Sequence, residues 1–598
     1  MYRTLFFLAA ALFVSCFPAA PIFPAAPDDL LDDTIDLEEI AAGIPSGFDV
    51  RTATEEEVRR LPFFSPDEAS LVVAYRDSLR RSGRSADFIG AIPGLSSIQR
   101  FLLESGLAGL SVRRRGDVSG LMRTGIRFRS SEHESPGKYW DRVEVESGGG
   151  FAMGALLEHD SGEPRALDFV SMHAAFPLGL SGCRVVAGDF RPGYGEGLLF
   201  SRYTFRYRDG VRNLREETDN PARASFEETR FLRGILLSAR RGAVTSELWA
   251  SARSLDAAID SSGRAVSIDR TGYHRSSGKR GNLKERISAA HVSIDVGRGN
   301  ALSVTGAVTG YDPGLARRPG ERSFEDPESK VFRHLSVSGR HEDRRTAIFF
   351  EHAWMEGGEY AAAGGVTVRS PAVTVTTQAR EFSRRFWAPR SGAFSTFGEP
   401  SNERGMYTAL EASLPAALQL TASADIARTL GRTYFLAMPS SRRQALVTLR
   451  KKFGLALFGG ISARSTQDSV AVPGRWSIRS FCERGSAGRS PLIVRAAAAW
   501  SQSGGEGGPF VEIGVKHLRG KGALDCSIAV FRIPSYASRF YMFGRDVPGR
   551  GATQPVRGRG ASVCIVARMK QFSGRCRWVR SDLMENVREL TVQSDYKF

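Results

Sequence analysis

The sequence predicts a mainly β protein, a large antiparallel transmembrane β-barrel of about 20–26 strands preceded by a small all-α module. Three observations predict it. From about residue 120 onward, apolar and polar residues alternate in runs of about ten, too long for a sandwich and suited to a tilted membrane strand. Aromatic residues cluster near the ends of these runs. The chain closes on "LTVQSDYKF", which puts Leu590, Val592, Tyr596 and Phe598 on one face of a final strand.

Taken in order, residues 1–26 read as a signal peptide. Arg3 supplies its charge and Leu5 to Val14 its apolar stretch, far short of the roughly 20 residues that span a bilayer. Leu12-Phe13-Val14-Ser15-Cys16 is a loose lipobox, so lipidation of Cys16 stays open beside ordinary cleavage. Residues 27–47 form an acidic linker. Residues 48–112 read as helices. Thr54 with Glu57 makes a capping box, and Val58, Leu61, Ala69, Val72, Val73 and Tyr75 form the buried set. A hairpin runs from Pro62 to Pro66. A second copy, "FIGAIPGLSSIQRFLLESGL", turns at Ile92-Pro93-Gly94-Leu95.

Residues 120–598 form the barrel. In "LQLTASADIA", Leu418, Leu420, Ala422, Ala424 and Ile426 are expected to face lipid. Gln419, Thr421, Ser423 and Asp425 are expected to face a lumen, and a cysteine at 423 is expected to react with a thiol reagent if that lumen is wet. "LSVTGAVTGY", "AVTSELWASAR", "ISAAHVSIDV", "AVTVTTQAREF", "RQALVTLRKK" and "FVEIGVKHL" read alike, and no helix interrupts them, so the connections are hairpins. Roughly 480 residues at about 20 per strand and turn give on the order of 24 strands. Tyr139-Trp140, Tyr203-x-Phe205-x-Tyr207, Phe386-Trp387 and Phe540-Tyr541-x-Phe543 are expected in interfacial girdles. Residues 206–228 and 312–330 are too polar for strands and read as external loops or a plug. Tyr596 and Phe598 resemble the terminal signal recognised by the barrel-assembly machinery; the plainer reading is an ordinary last strand.

The 598 residues carry a net charge of +17, unevenly placed. Residues 1–113 hold 10 Lys+Arg against 16 Asp+Glu, so the basic excess lies wholly in the barrel. Arginine there would favour anionic solutes or lipopolysaccharide phosphates, or coat solvated loops. The cysteines after Cys16 are odd in number and form no C-x-x-C, which argues against a disulfide framework and a zinc site. Nine scattered histidines, with no H-E-x-x-H, G-x-S-x-G or Walker motif, give no enzyme and no cofactor. "GYGEGL" reads as close packing or a bend, and Asp189 and Glu196 beside it as lumen-facing partners for arginines.

Several stretches resemble a family of large bacterial outer-membrane barrels described as helix-hairpin-helix domain-containing proteins. "VVAGDFRPGYGEGLLFSRYTF" resembles their "GDY…FGQGLxLW", which places Gly188, Asp189, Gly193, Gly195 and Gly197 in a family-like motif. "FEETRFLRG" and "SIDRTGYHRSSGKRGNLKE" resemble two further stretches, and "FDVRTATEEEVRRLP" resembles the opening of ComEA-like tandem helix-hairpin-helix modules. The resemblance implies an outer-membrane barrel with its helical module in the periplasm, outer-membrane lipid around it, and a transport, export or assembly role with unidentified cargo. It also brings an alternative, DNA binding or uptake through the module. The hairpin departs from the family: Phe63, Phe64 and Ser65 replace its glycines, and the second copy keeps only Gly94, followed by Leu95. Residues 48–112 carry eight Arg against nine Asp+Glu, so DNA binding should be weak. An exposed Phe63-Phe64 pair points instead to a periplasmic protein partner or docking at the barrel mouth; the plainer reading puts one ring in a small core.

Overall fold

The computed structural model describes residues 48–81 except 49, 51, 60, 62–63 and 65; then Ile92, Leu95 and Leu103; and residues 117–598 apart from fifteen internal gaps. The gaps are 131–136, 164–166, 180–181, 203–220, 223–228, 271–277, 318–326, 399, 417, 433–438, 454–456, 469–473, 486–491, 520–521 and 549–551.

In the helical module, Thr54 opens the helix Glu55–Arg59. Its N–H donates to Glu57 Oε2 at 2.7 Å, and Glu57 N–H donates to Thr54 Oγ1 at 3.2 Å, the expected capping box. The helix Pro66–Arg81 starts on proline, whose missing N–H is unpaired at that position anyway. Val58, Leu61, Ala69 and Val72 are buried, with Val73 and Tyr75 packed against them. Phe64 joins this core, as does Leu95, so Phe64 is a core side chain and not half of an exposed contact pair. Phe63, Ser65, Gly94 and most of the second copy lie outside the described residues.

The remainder is a closed antiparallel barrel of 24 strands in which each strand pairs with its successor. Closure joins Val118–Ser130 to Val587–Lys597, from Leu121 opposite Lys597 to Ser130 opposite Arg588. The seam ends where Gly120 and Phe598 exchange backbone hydrogen bonds of 2.8 and 3.0 Å. The Phe598 ring lies over Gly120, where any Cβ would meet it at 2.0 Å.

Alternation decides the faces. On Leu418–Thr429, Ser423 and Asp425 are buried inside while Ile426 is 40% exposed. The predicted faces are therefore correct, and Ser423 is covered, so the condition for labelling at 423 is not met. Outward-facing Ile235, Leu248, Ile513, Ile528 and Val530 are exposed around the wall, a far larger apolar surface than a soluble monomer presents. The aromatic expectation fails in three places. Trp140 turns inward over Gly125 and is fully buried. Phe386 is buried inside the barrel, and Phe540–Gly544 belongs to an inner hairpin. The outward aromatics include Trp354, Trp476, Trp500 and Phe572.

Candidate functional site in the lumen

The turns at the rim that holds Phe598 are short, such as 242–243, 298–299 and 343–345. The opposite rim carries the long connections, and among the described residues three of these fold into the lumen.

The first follows strand Cys183–Phe190 and contains the glycine-rich stretch. Gly195 and Gly197 have φ of +52° and +77°, a region open to glycine at little cost. A Cβ on Gly195 would stand 2.8 Å from Glu351 Oε2 and 2.9 Å from Ser338 Cβ, so the chain lies directly against the wall. Leu198 N–H donates to Glu351 Oε2 at 3.0 Å. The Tyr194 hydroxyl donates to Glu247, and its ring stacks on His291 at 3.7 Å and on Trp249 at 5.5 Å. Phe190, Leu198, Leu199 and Phe200 pack with Trp249, Phe382 and Phe386 into an apolar core inside the barrel.

The second insertion, 383–402, seats on the first. Ser201 N–H donates to Arg390 O at 2.9 Å, Gly392 N–H to Gly197 O at 3.1 Å, and Ser391 Oγ to Gly197 O at 2.7 Å. A charged clamp holds its far end. Arg380 bridges Glu403 at 2.5 Å and Asp425 at 2.9 Å, all three side chains being almost wholly buried. Thr396 donates its N–H to Glu403 Oε2 at 2.9 Å and its hydroxyl to Asp425 Oδ2 at 2.5 Å; Ser395 Oγ donates to Glu403 at 2.6 Å. At the mouth, Arg270 lies over the Trp387 ring at 5.3 Å. Burial, reinforced by the charge of Arg230, lowers its pKa to about 10.

The third insertion carries the hairpin Phe540–Gly544 and Ala552–Val556. Arg545 reaches Asp525 at 2.7 Å and Glu512 at 3.2 Å; Asp546 reaches Arg127 at 2.9 Å and Arg575. Gln593 Nε2 donates to Pro548 O at 2.9 Å. All of these partners lie on the wall. Buried ion pairs of this kind contribute little net stability, but breaking one is costly, so they act as positional clamps.

The sequence-selected residues fall as follows. Gly193, Gly195, Glu196 and Gly197 lie in the first insertion, with Glu196 buried. Gly188 has φ of +95°, and a Cβ there would meet Met172 O at 2.3 Å. Asp189 does not face the lumen. It shares the outward parity of Val185 and Ala187, which pair with exposed Leu237 and Ile235, and it is covered by Arg233 at 2.6 Å. Its expected role as an arginine partner stands, on the other face. Among the described residues no group of three or more His, Cys, Asp or Glu is placed to hold a metal. Sequence reasoning missed 383–402 and 534–557 as luminal insertions; their signal is the absence of period-two alternation between two clear strands.

No family model and no curated protein matches the chain. Solved structures resemble it as barrels. The P pilus usher PapC translocation pore is 7% identical over 80% of this chain and 99% of its own, with a TM-score of 0.36. OprD of Pseudomonas aeruginosa is 11% identical over 64% and 93%, with a TM-score of 0.32. The siderophore receptor PirA of Pseudomonas aeruginosa is 7% identical over 81% of each chain, with a TM-score of 0.38. At identities and TM-scores this low, nothing those proteins do transfers to this chain.

Proposed function

We propose that the chain is an outer-membrane barrel with a transport role, its lumen filled on most sides by insertions that can be displaced. The supporting observation is the reversal of ordinary polarity: isoleucine, leucine and valine cover the outside, while Arg380, Glu403 and Asp425 lie within. Only a hydrocarbon surround makes that outer face favourable. The insertions are held by hydrogen bonds, ion pairs and apolar packing and not by the barrel ladder, so the wall need not open for them to move. The described part, 185–202, of the stretch by which the chain resembles the helix-hairpin-helix barrel family serves here to seat the plug. The helical module lies on the periplasmic side, because the first strand starts at the rim of short turns. Its net charge weighs against a nucleic-acid role, so the module is a tether or a protein-docking element. Fractionation tests the reading. The chain should sediment with outer membranes and resist extraction by high salt; a folded chain recovered in the soluble periplasmic fraction refutes it.

A further inference from the structure

The three insertions cover the wall unevenly. Inward side chains from Glu158 to Asp425 are mostly buried, among them Glu247, His291, Ser303, Glu351 and Gln378. On the other flank the third insertion covers Phe510, Phe531, Arg575 and Thr591. Between them lie the strands Ser441–Phe453, Leu457–Asp468, Arg475–Gly485 and Leu492–Ser503, whose inward polar side chains mostly remain half-exposed.

The pairing identifies which residues these are. Inward Ser423 lies opposite Leu446, and Leu446 opposite Arg464. The same parity brings Arg442 and Arg450 inward, and, across the next ladders, Arg475, Arg479 and Arg495. The described inward side chains of these four strands thus include six arginines and two acids, Asp468 and Glu483. Asp468 bridges Arg442 at 2.6 Å and Glu483 bridges Arg495 at 2.9 Å.

Their heights form a ladder. Arg442 and Arg475 sit toward the rim of long connections, Arg464 and Arg479 midway, and Arg450 and Arg495 toward the rim of Phe598. Guanidinium groups spaced along one wall can pass a carboxylate or phosphate from one planar fork to the next.

We propose that this sector is a water-filled path beside the plug that selects solutes carrying carboxylate or phosphate groups. The proposal rests on the reading of the chain as a membrane barrel and adds the class of solute. The test uses the full chain, with its cysteines changed to serine, inserted into phosphatidylcholine vesicles. Ser462→Cys, opposite Arg479, reports on the sector, and Ser303→Cys reports on the covered wall. A sulfonate-bearing and a trimethylammonium-bearing methanethiosulfonate are compared, each normalised to its rate with free cysteine. Position 462 should react, with the anionic reagent favoured on the order of tenfold; position 303 should not react. Arg464→Gln with Arg479→Gln should bring the ratio close to one. The protein without these substitutions gives an independent readout, an anion-selective reversal potential in a potassium chloride gradient across a planar bilayer. Silence at position 462, a ratio unchanged by the double substitution, or cation selectivity overturns the proposal while leaving the barrel in its membrane. Failure of the folded chain to insert overturns the membrane reading and this inference with it.

Discussion

Replacing Arg380 with methionine should destabilise the barrel by about 3–5 kcal/mol and release the second insertion. Arg380 stands 2.5 Å from Glu403 and 2.9 Å from Asp425, and none of the three side chains is more than 1% exposed. At an effective dielectric of about 20, a pair at that separation attracts by about 6 kcal/mol before desolvation. Burying three charged groups offsets most of this, so the intact triad is close to neutral. Methionine keeps the volume but leaves two carboxylates buried with no cation between them, which is where the cost arises. The triple variant Arg380→Met, Glu403→Gln, Asp425→Asn removes the stranded charges and should recover most of the loss. The assay is urea unfolding of the vesicle-inserted barrel by tryptophan fluorescence, paired with protease cleavage within 391–402. Thr396 is held only through this clamp and its neighbours, so cleavage there should rise in the single variant. A single variant within about 1 kcal/mol of the parent, or a triple variant no better than the single, would refute the reasoning.

Gly195→Val should unseat the first insertion, since φ is +52° and its Cβ would press on Glu351 and Ser338; strain of about 1–2 kcal/mol adds to the clash, and solute influx into vesicles should rise. Ile513→Arg, on the outward face and 55% exposed, should cost roughly 2–4 kcal/mol in vesicles, whereas Ser477→Arg on the half-exposed luminal face should cost under about 1 kcal/mol in the same titration. Phe598→Lys should lower the fraction of chain assembled in outer membranes; undiminished assembly would remove the terminal-signal reading. The amides of Arg345 and then Thr346 hold the Asp343 carboxyl below its ordinary pKa. A depressed carboxyl contributes its stability above the unfolded pKa of about 4 and loses it as pH falls through the lower folded value. Hydrogen exchange at those two amides, corrected for intrinsic rates, should therefore speed up only below about pH 4.

Much of the fold was legible because its signals are local. Period-two alternation in "LQLTASADIA" states which side chains share a face, and Thr54 with Glu57 states where a helix begins; each needs only a few neighbouring residues. The strand number followed from length, since a membrane of fixed thickness sets the residues per crossing. Phe386-Trp387 and Phe540-Tyr541-x-Phe543 were misplaced because an apolar ring meets the same physical demand in a bilayer interface and in a packed lumen.

By itself, then, the sequence determined an alternating chain long enough to close a large barrel, with its basic excess confined there. Only the tertiary structure decided that the described insertions cover most of the inner wall and leave the inward arginines of one sector half-exposed. It also decided that Asp189 turns outward beneath Arg233 and that Ser423 is covered. The physical reason is distance along the chain. Alternation places a side chain inside or outside, but what covers it comes from elsewhere: Asp546 meets Arg127 from 419 residues away, and Leu198 meets Glu351 from 153. Such contacts exist only once the barrel has closed and given the insertions a wall to rest on.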